Sequence, residues 1–386
     1  MKIRALHGFF ILLSVIGGNV NATTYTMPEN GNDTVITQYH DDVALTRMEQ
    51  DGTLLDVARN HLLGQTEIVR LNPDLDRWLV KKGEIVRLSN KRILPDSPHE
   101  GITLNIAEYR MYFYPPTPKG EAPKQVMSYA HGVGRQDWKT PLGKTKVARK
   151  VMNPEWHPPE SIRREHAANG DPLPVIVPPG PHNPLGSRAL YLALPGEYRI
   201  HGTDIDKIYG IGMQITHGCV RMYPEDVEEL YDMVSVGTPV YIVKQPIKVG
   251  WLDNVLYVEA HPDLEGEETT LDQRFATALR LIQKANNQEM PDFDQKALNQ
   301  ALKEQRGEPV AIYERLPPLE GMVESLPVSA PAPVPTPARK TSSLPVRASA
   351  PVPTPARKAS SLPVRAPAPV PTAARKASPK GYYTGN

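Results

Sequence analysis

Alternating apolar and polar positions dominate the middle of the chain and predict β-strands. The segment GITLNIAEYRMYFYPP has Ile102, Leu104 and Ile106 at every second position, and KQVMSYAHGVG follows it. A period of two is typical of a strand with one buried face. RALYLALPGEYRIHGT predicts two strands joined at a Pro-Gly turn, and VGTPVYIVKQP predicts a closing strand that ends near Pro246.

One clear helical pattern, PEDVEELYDMV, interrupts these strands. Apolar residues recur on one helical face, at Val227, Leu230, Tyr231 and Val234. Pro224 fits the first helical turn, and the acidic residues after it complement the positive end of the helix dipole. The pattern therefore predicts a mostly β domain with one main helix.

The stretch from Val151 to Gly186 is rich in proline and glycine, and we expect no regular structure in it. Loops of this length inside a compact domain are usually functional or disordered. Trp156 and the turn Asn183-Pro184-Leu185-Gly186 favour an ordered lid over a groove.

Two smaller regions flank the β-rich part. In residues 43–90, DGTLLDVARNHL, TEIVRLNPDL and VKKGEIVRLS predict a turn, two short helices split by Asn72-Pro73, and a strand after Gly83. In residues 247–315, LDQRFATALRLIQKANNQ predicts an amphipathic helix and DQKALNQALKEQ a weaker one. We expect this second region to be a small helical or mixed packing domain.

Residues 1–22 have the pattern of a cleaved secretory signal. Lys2 and Arg4 precede an apolar run from Leu6 to Ile16, and the small-residue site Val20-Asn21-Ala22 follows. An uncleaved anchor is the alternative, but the run is shorter than the roughly 20 residues that span a bilayer. We expect cleavage after Ala22, export, and no transmembrane segment in the mature chain.

Residues 325–380 form a basic, proline-rich repeat. SLPV recurs at 325, 343 and 361, and PVPT at 333, 351 and 369, an interval of 18 residues. We expect an extended, largely disordered arm. The arm has nine basic residues and no acidic one, so the net charge of +1 divides into +9 on the arm and −8 on the rest. Either a passive tether or an electrostatic contact with an anionic envelope polymer would fit.

The segment ITHGCVRMY contains Cys219, the only cysteine of the chain. In an exported protein, an unpaired cysteine suggests an intermolecular bridge or a reactive thiol. A small buried hydrophobe is the alternative. Gly218 allows close approach of the backbone, and His217 and Arg221 bring positive charge that favours the thiolate. We therefore predict a nucleophile.

A cysteine nucleophile requires a base and backbone N–H groups directed at the developing oxyanion. His201, at the end of a predicted strand, is one candidate base, and His217 is the other. Since His217 is two residues from the thiol, it has little freedom to approach the sulfur. We favour His201.

These residues resemble the signature of the YkuD-type L,D-transpeptidases, which cross-link or decorate peptidoglycan. The matching residues are His201-Gly202-Thr203, then, after fourteen residues between His201 and Thr216, Thr216-His217-Gly218-Cys219-Val220-Arg221, and also Thr140-Pro141-Leu142-Gly143. The order of regions is similar to the periplasmic branch that attaches Braun lipoprotein to the wall. Many members have asparagine where this chain has Arg221, which leaves the substrate-contacting role of that position open.

Residues 43–90 resemble a LysM module, a βααβ peptidoglycan-binding unit. The matching positions are Gly52-Thr53-Leu54-Leu55, Asn72-Pro73 and Lys82-Gly83. The acidic residue usual after the glycine is missing, and the first strand is faint.

The resemblance implies a YkuD-type β-sandwich catalytic domain at 99–246 in a periplasmic enzyme. It implies Cys219 as nucleophile, His201 as base, and the Gly202 carbonyl as the group that orients the imidazole. The N–H groups of Gly218 and Cys219 would stabilise the oxyanion, and the pocket would be shaped by Thr216, His217 and Arg221. The implied partners are peptidoglycan and either an envelope lipoprotein with a C-terminal lysine or a second stem, with no nucleic acid, cofactor or metal.

Three alternatives compete with this reading. His201, His217 and Cys219 could ligate zinc, although no CxxC or HExxH pattern is present. The chain could instead be a non-catalytic wall-binding scaffold. It could also be an L,D-carboxypeptidase that forms the same thioester and transfers it to water.

Overall fold

The computed structural model describes residues 22–38, 44–196 and 198–315. Both the expected signal, apart from Ala22, and the 325–380 repeat lie outside the described residues. The strands are β1 (Thr23–Thr26), β2 (Val35–Thr37), β3 (Ala44–Arg47), β4 (Ile85–Leu88), β5 (Lys91–Ile93), β6 (Gly101–Asn105), β7 (Arg110–Tyr114), β8 (Gln125–Gly134), β9 (Gly143–Met152), β10 (Arg188–Leu192), β11 (Arg199–His201), β12 (Gln214–Thr216), β13 (Val220–Met222), β14 (Pro239–Val243), β15 (Ile247–Leu252), β16 (Val255–Ala260) and β17 (Val310–Glu314). The helices are α1 (Leu54–Asn60), α2 (Gln65–Leu71), α3 (Glu160–Ala168), α4 (Pro224–Met233), α5 (Leu271–Ala285) and α6 (Gln295–Glu304).

The central strands form one mixed sheet that closes on itself. In the order β8-β13-β11-β10-β9-β14-β6-β7, each strand is hydrogen-bonded to the next, and β7 pairs back with β8. The long strand β8 makes this closure because its first part pairs with β7 and its last part with β13 and β12. The mostly β fold is confirmed. The strands of the expected sandwich are, however, joined in one ring instead of two separate sheets.

Helix α4 closes the main core of this sheet, as its sequence pattern predicts. Val227, Leu230 and Val234 pack among the buried side chains of the strands. The ammonium group of Lys150 donates hydrogen bonds to the carbonyls of Tyr231 and Val234, which lack partners at the end of the helix. The helix is thereby fixed directly after the segment that contains Cys219.

The region at 44–88 has the element order β3-α1-α2-β4, with β3 and β4 antiparallel. The expected break at Asn72-Pro73 is wrong, because the two helices separate earlier, at His61–Gly64. Asn72 ends α2 instead, and its side chain donates to the carbonyls of Ile68 and Arg87. These bonds attach the end of α2 to β4. We refer to residues 44–88 as the N-terminal module.

A buried ionic cluster joins the N-terminal module to the central sheet. Glu67 of α2 lies between Arg92 of β5 and Arg110 of β7, and Nη2 of Arg110 is 2.7 Å from the carboxylate. Burial alone would raise the pKa of Glu67, but the two guanidinium groups lower it to about 2. Removing the carboxylate of Glu67 would leave two buried guanidinium groups without this counter-charge, and a loss of this kind typically costs about 3–5 kcal/mol.

The region from Ile247 to Arg315 is a three-stranded sheet, β15-β16-β17, covered by α5 and α6. Both helices correspond to the sequence patterns, whereas the strands were not predicted. Lys248 of β15 lies 2.8 Å from the carboxylates of Glu108 and Glu259, which are both buried. This buried contact connects the region to the β6–β7 turn.

The insertion at 151–186 is ordered, and the expectation of no regular structure is wrong. It contains α3 and a small apolar core of Trp156, Ile162 and Leu185. Asn183 donates to the carbonyls of Pro154, Val177 and Pro178. These bonds satisfy backbone groups that the prolines leave without partners, so the segment folds despite its composition. No helix in the described ranges is long and apolar enough to cross a bilayer.

Candidate active site

Strands β11 and β13 bring the predicted nucleophile and base together. The two strands are parallel neighbours, with Ile200 opposite Val220 and His201 opposite Arg221. Ile200 and Val220 point into the core. Because side chains alternate along a strand, His201 and Arg221 both lie on the opposite face. Cys219 directly precedes β13, interacts electrostatically with the guanidinium group of Arg221, and is half-buried.

His201 is buried and held by the backbone that follows it. Its Nδ1 lies 2.7 Å from the carbonyl oxygen of Gly202, the contact that the family resemblance implies. A carbonyl only accepts, so Nδ1 carries the proton and Nε2 has the lone pair. Burial lowers the pKa of His201 to about 3, and the positive charges of Arg221 and Arg199 act in the same direction. His201 is therefore neutral at neutral pH, the state that the predicted role as a base requires.

The turn before the cysteine has a backbone that requires glycine. Gly218 has φ of +95°, in the left-handed region. A Cβ at this position would lie 2.8 Å from Cε1 of Tyr198. Thr140 donates a 3.0 Å hydrogen bond to the Gly218 carbonyl, and Thr216 donates one of 2.6 Å to the Cys219 carbonyl. Thr140 and Thr216, both predicted from the motif, thus stabilise the turn.

Arg221 is buried on the face that it shares with His201. Burial lowers the pKa of its guanidinium group, whereas Asp204 and the negative charge of Cys219 raise it. Asp204 is also buried, and Lys207 lies 3.8 Å from its carboxylate. The positive charge of Arg221 therefore acts on the thiol and on His201 from within the protein.

His217 is directed towards the insertion. Its Nε2 lies 3.2 Å from Oε2 of Glu165 in α3, and its ring makes an edge contact with Trp138, with 5.2 Å between centroids. Nη2 of Arg135 contacts both oxygens of the same carboxylate at 2.8 Å. Burial lowers the pKa of His217, and the hydrogen bond with Glu165 opposes this effect.

The sequence analysis missed Glu165, Arg135 and Trp138 as members of the site. Arg135 and Trp138 follow β8 directly, and Glu165 comes from an insertion in which no helix was expected. The segment SIRREHAA could have indicated this helix, because its acidic and basic residues continue for two helical turns without proline.

The zinc alternative requires the ligand atoms of His201, His217 and Cys219 to converge, and among the described residues these three do not form such a group. In the described part of the chain, the side chains whose ligand atoms converge as a potential metal site are Glu108, Glu259 and His261. The ammonium group of Lys248 lies 2.8 Å from both of those carboxylates and compensates part of their negative charge.

Comparisons with known proteins identify the family of the chain. Residues 99–242 match the family model described as the YkuD L,D-transpeptidase catalytic domain. The chain is 35% identical over 320 residues to the probable L,D-transpeptidase YbiS of Escherichia coli (strain K12), covering 81% of this chain and 99% of the relative. It is 38% identical over 222 residues to the probable L,D-transpeptidase YcfS of the same strain, covering 56% and 67%. It is 31% identical over 328 residues to the probable L,D-transpeptidase ErfK/SrfK of Salmonella typhimurium (strain LT2), covering 82% and 99%. The chain belongs to the YkuD family and is an L,D-transpeptidase.

Proposed function

We propose that the enzyme transfers peptidoglycan stems to an amine through a thioester on Cys219. The observation that carries this proposal is the register of β11 and β13, which sets His201 opposite Arg221, two residues after Cys219. The bond from Nδ1 of His201 to the Gly202 carbonyl leaves Nε2 to take the proton of the thiol. Arg221 supports the thiolate by its charge.

In the first half-reaction, Sγ of Cys219 attacks the carbonyl carbon of the third stem residue, meso-diaminopimelate, in a tetrapeptide. The bond to D-alanine breaks, and the proton taken from the thiol leaves with the D-alanine amine. The N–H groups of Gly218 and Cys219 stabilise the oxyanion. Arg221 and Thr216 shape the pocket that holds the anionic stem.

In the second half-reaction, an amine attacks the thioester and Cys219 is released. The acceptor is the terminal lysine of an envelope lipoprotein or the diaminopimelate side chain of another stem. The protein acts in the periplasm, where the N-terminal module binds peptidoglycan in the manner of a LysM unit. The βααβ order of this module supports that assignment.

Incubation with a disaccharide-tetrapeptide, with and without a lysine-ended peptide, tests the proposal. Mass spectrometry should detect an adduct on Cys219, D-alanine release, and a cross-linked product only when the amine is present. Cys219→Ala should abolish the adduct, and Cys219→Ser should lower turnover by about two orders of magnitude or more, since an alcohol is a weaker nucleophile than a thiolate. A tripeptide as the main product with the amine present would indicate an L,D-carboxypeptidase. Absence of any adduct on the unchanged enzyme would refute the proposal.

A further inference from the structure

Glu165 links the insertion to the segment that contains the nucleophile. Its carboxylate contacts His217 at 3.2 Å and Arg135 at 2.8 Å. The helix that carries it, α3, is anchored by Ile162, which packs with Trp156 and Leu185. The insertion thus places a charged group against His217, which is two residues before Cys219.

The two histidines of the site present opposite ring nitrogens as bases. An ionised carboxylate only accepts, so the contact with Glu165 places the proton of His217 on Nε2 and leaves the lone pair on Nδ1. In His201 the proton is on Nδ1 and the lone pair on Nε2. One site therefore has two neutral imidazoles of different tautomer.

The charges around the two histidines also differ. The positive charges of Arg199 and Arg221 act on His201. Positive charge on this side would attract the carboxylate of a departing D-alanine. The carboxylate of Glu165 borders His217 and remains 31% exposed, which suits the approach of a positively charged amine. The two sides of the site thus match the opposite charges of the leaving group and the acceptor.

We propose that Glu165 is a positioning residue that orients His217 as the base of the amine half-reaction, an inference that rests on the proposed function. The amine nitrogen forms the C–N bond to the thioester carbon, and the C–S bond breaks with its electron pair returning to Sγ of Cys219. The N–H proton of the amine passes to Nδ1 of His217 and then through solvent to the Sγ thiolate of Cys219. The base is thereby neutral again, and the thiol whose proton the first half-reaction uses is regenerated.

The experiment measures the two half-reactions of Glu165→Gln separately. Acylation is the rate of adduct formation on Cys219 with the tetrapeptide donor and no amine. Aminolysis is the decay of the isolated acyl-enzyme with increasing lysine peptide. Glu160→Gln is the matched control, because Glu160 lies on the same helix and its side chain is 72% exposed.

For Glu165→Gln we expect unchanged acylation and an aminolysis rate at least about tenfold lower, the loss typical of a disturbed general base. Glu160→Gln should match the unchanged enzyme in both steps. Equal losses in both steps would mean that Glu165 only supports the fold of the insertion, and no loss in either would also overturn the proposal. Failure of the proposed function itself would be seen separately, as the absence of any adduct on Cys219.

Two further readouts separate positioning from simple structural support. In the background of His217→Asn, Glu165→Gln should cause no additional loss of aminolysis rate, because the carboxylate acts through the His217 ring.

The pH profile of aminolysis should also change in Glu165→Gln. The charged and titratable groups facing His217 are Glu165 and His166 of α3 and Arg135 after β8. Because Glu165 raises the pKa of His217, its removal should shift the acid limb of aminolysis to lower pH. Additive losses or an unshifted profile would contradict the inference.

Discussion

Gly64 and Gly212 lie in direct backbone contact across the boundary between the N-terminal module and the catalytic domain. A Cβ on Gly64 would lie 2.9 Å from Cα of Gly212. Next to this contact, the N–H group of Gln65 donates to the Ile211 carbonyl at 2.9 Å, and Tyr223 donates to the Leu63 carbonyl at 3.1 Å. Gly212 belongs to the segment that connects His201 with Cys219. The module therefore supports the segment between His201 and Cys219.

Gly64→Ala should loosen this contact. The backbone of Gly64 has φ of −80°, so alanine causes no backbone strain there. The added methyl group meets main-chain atoms that cannot rotate away, and overpacking of this kind typically costs about 1–3 kcal/mol. Denaturant unfolding should show this loss, and acylation of Cys219 should slow. Gly31→Ala is the control, since a Cβ at Gly31 meets nothing within 4 Å. Equal stability of the two variants would show that the contact can relax without cost.

The two histidines should have different effects on acylation. His201→Ala should remove thioester formation because His201 lies opposite Arg221, two residues after Cys219, and has its lone pair on Nε2. His217→Ala should retain a measurable rate because the ring of His217 is engaged with Glu165. The measurement is the rate of mass increase on Cys219 with a tetrapeptide donor, at a pH where both variants are folded. The reverse order of effects would assign the thiol's base to His217.

Acid should destabilise the protein through two buried histidines. Burial lowers the pKa of His131 to about 4 and that of His201 to about 3. An unfolded histidine has a pKa of about 6.5, so the unfolded state binds more protons between these values. The free energy of unfolding should then decrease as the pH falls from about 6.5 towards 4, by up to about 1.4 kcal/mol per pH unit for each histidine.

The variant His131→Gln isolates one of these contributions. His131 is completely buried, and among the described residues its Nε2 has no hydrogen-bond partner. Denaturant titrations at several pH values should give a smaller slope of unfolding free energy against pH for the variant, whatever its stability at pH 7. An unchanged slope would mean that His131 is protonated in the folded state.

The elements around Cys219 could be predicted from sequence because their signals are local. A cysteine between Gly218 and Val220, a helix starting at Pro224 and a strand ending at His201 are each visible in a few residues. The contact of Glu165 with His217 could not be predicted, because it depends on the tertiary fold that brings α3 to His217. The proline-rich composition of the insertion also concealed α3, which packs through Ile162 against Trp156 and Leu185, residues before and after the helix in the chain. The strands β15 to β17 were missed because two amphipathic helices dominated the pattern of that region.

The basic arm should affect retention on the cell wall without affecting chemistry. Residues 325–386 have nine basic residues and no acidic one. Their removal should leave turnover of soluble stems unchanged and weaken binding to isolated sacculi most at low salt, where charges are least screened. A matched variant with glutamine in place of the Arg-Lys pairs at 339–340, 357–358 and 375–376 retains the prolines and lowers the charge of the arm from +9 to +3. Equal binding of the full and truncated chains at low salt would make the arm a passive tether.

Gly218 and Gly237 form a natural pair for testing the turn before the nucleophile. Their φ angles are +95° and +96°, so alanine should cost about 1–2 kcal/mol of backbone strain at either position. A Cβ at Gly237 meets nothing within 4 Å, whereas one at Gly218 meets Cε1 of Tyr198 at 2.8 Å. Gly237→Ala should therefore lower only stability. Gly218→Ala should in addition displace the backbone that carries Cys219, and a misplacement of about 1 Å at a reacting group typically costs a factor of about 100 in rate. Thermal unfolding and the rate of adduct formation measure the two effects, and acylation rates that fell equally in both variants would show that Tyr198 moves aside.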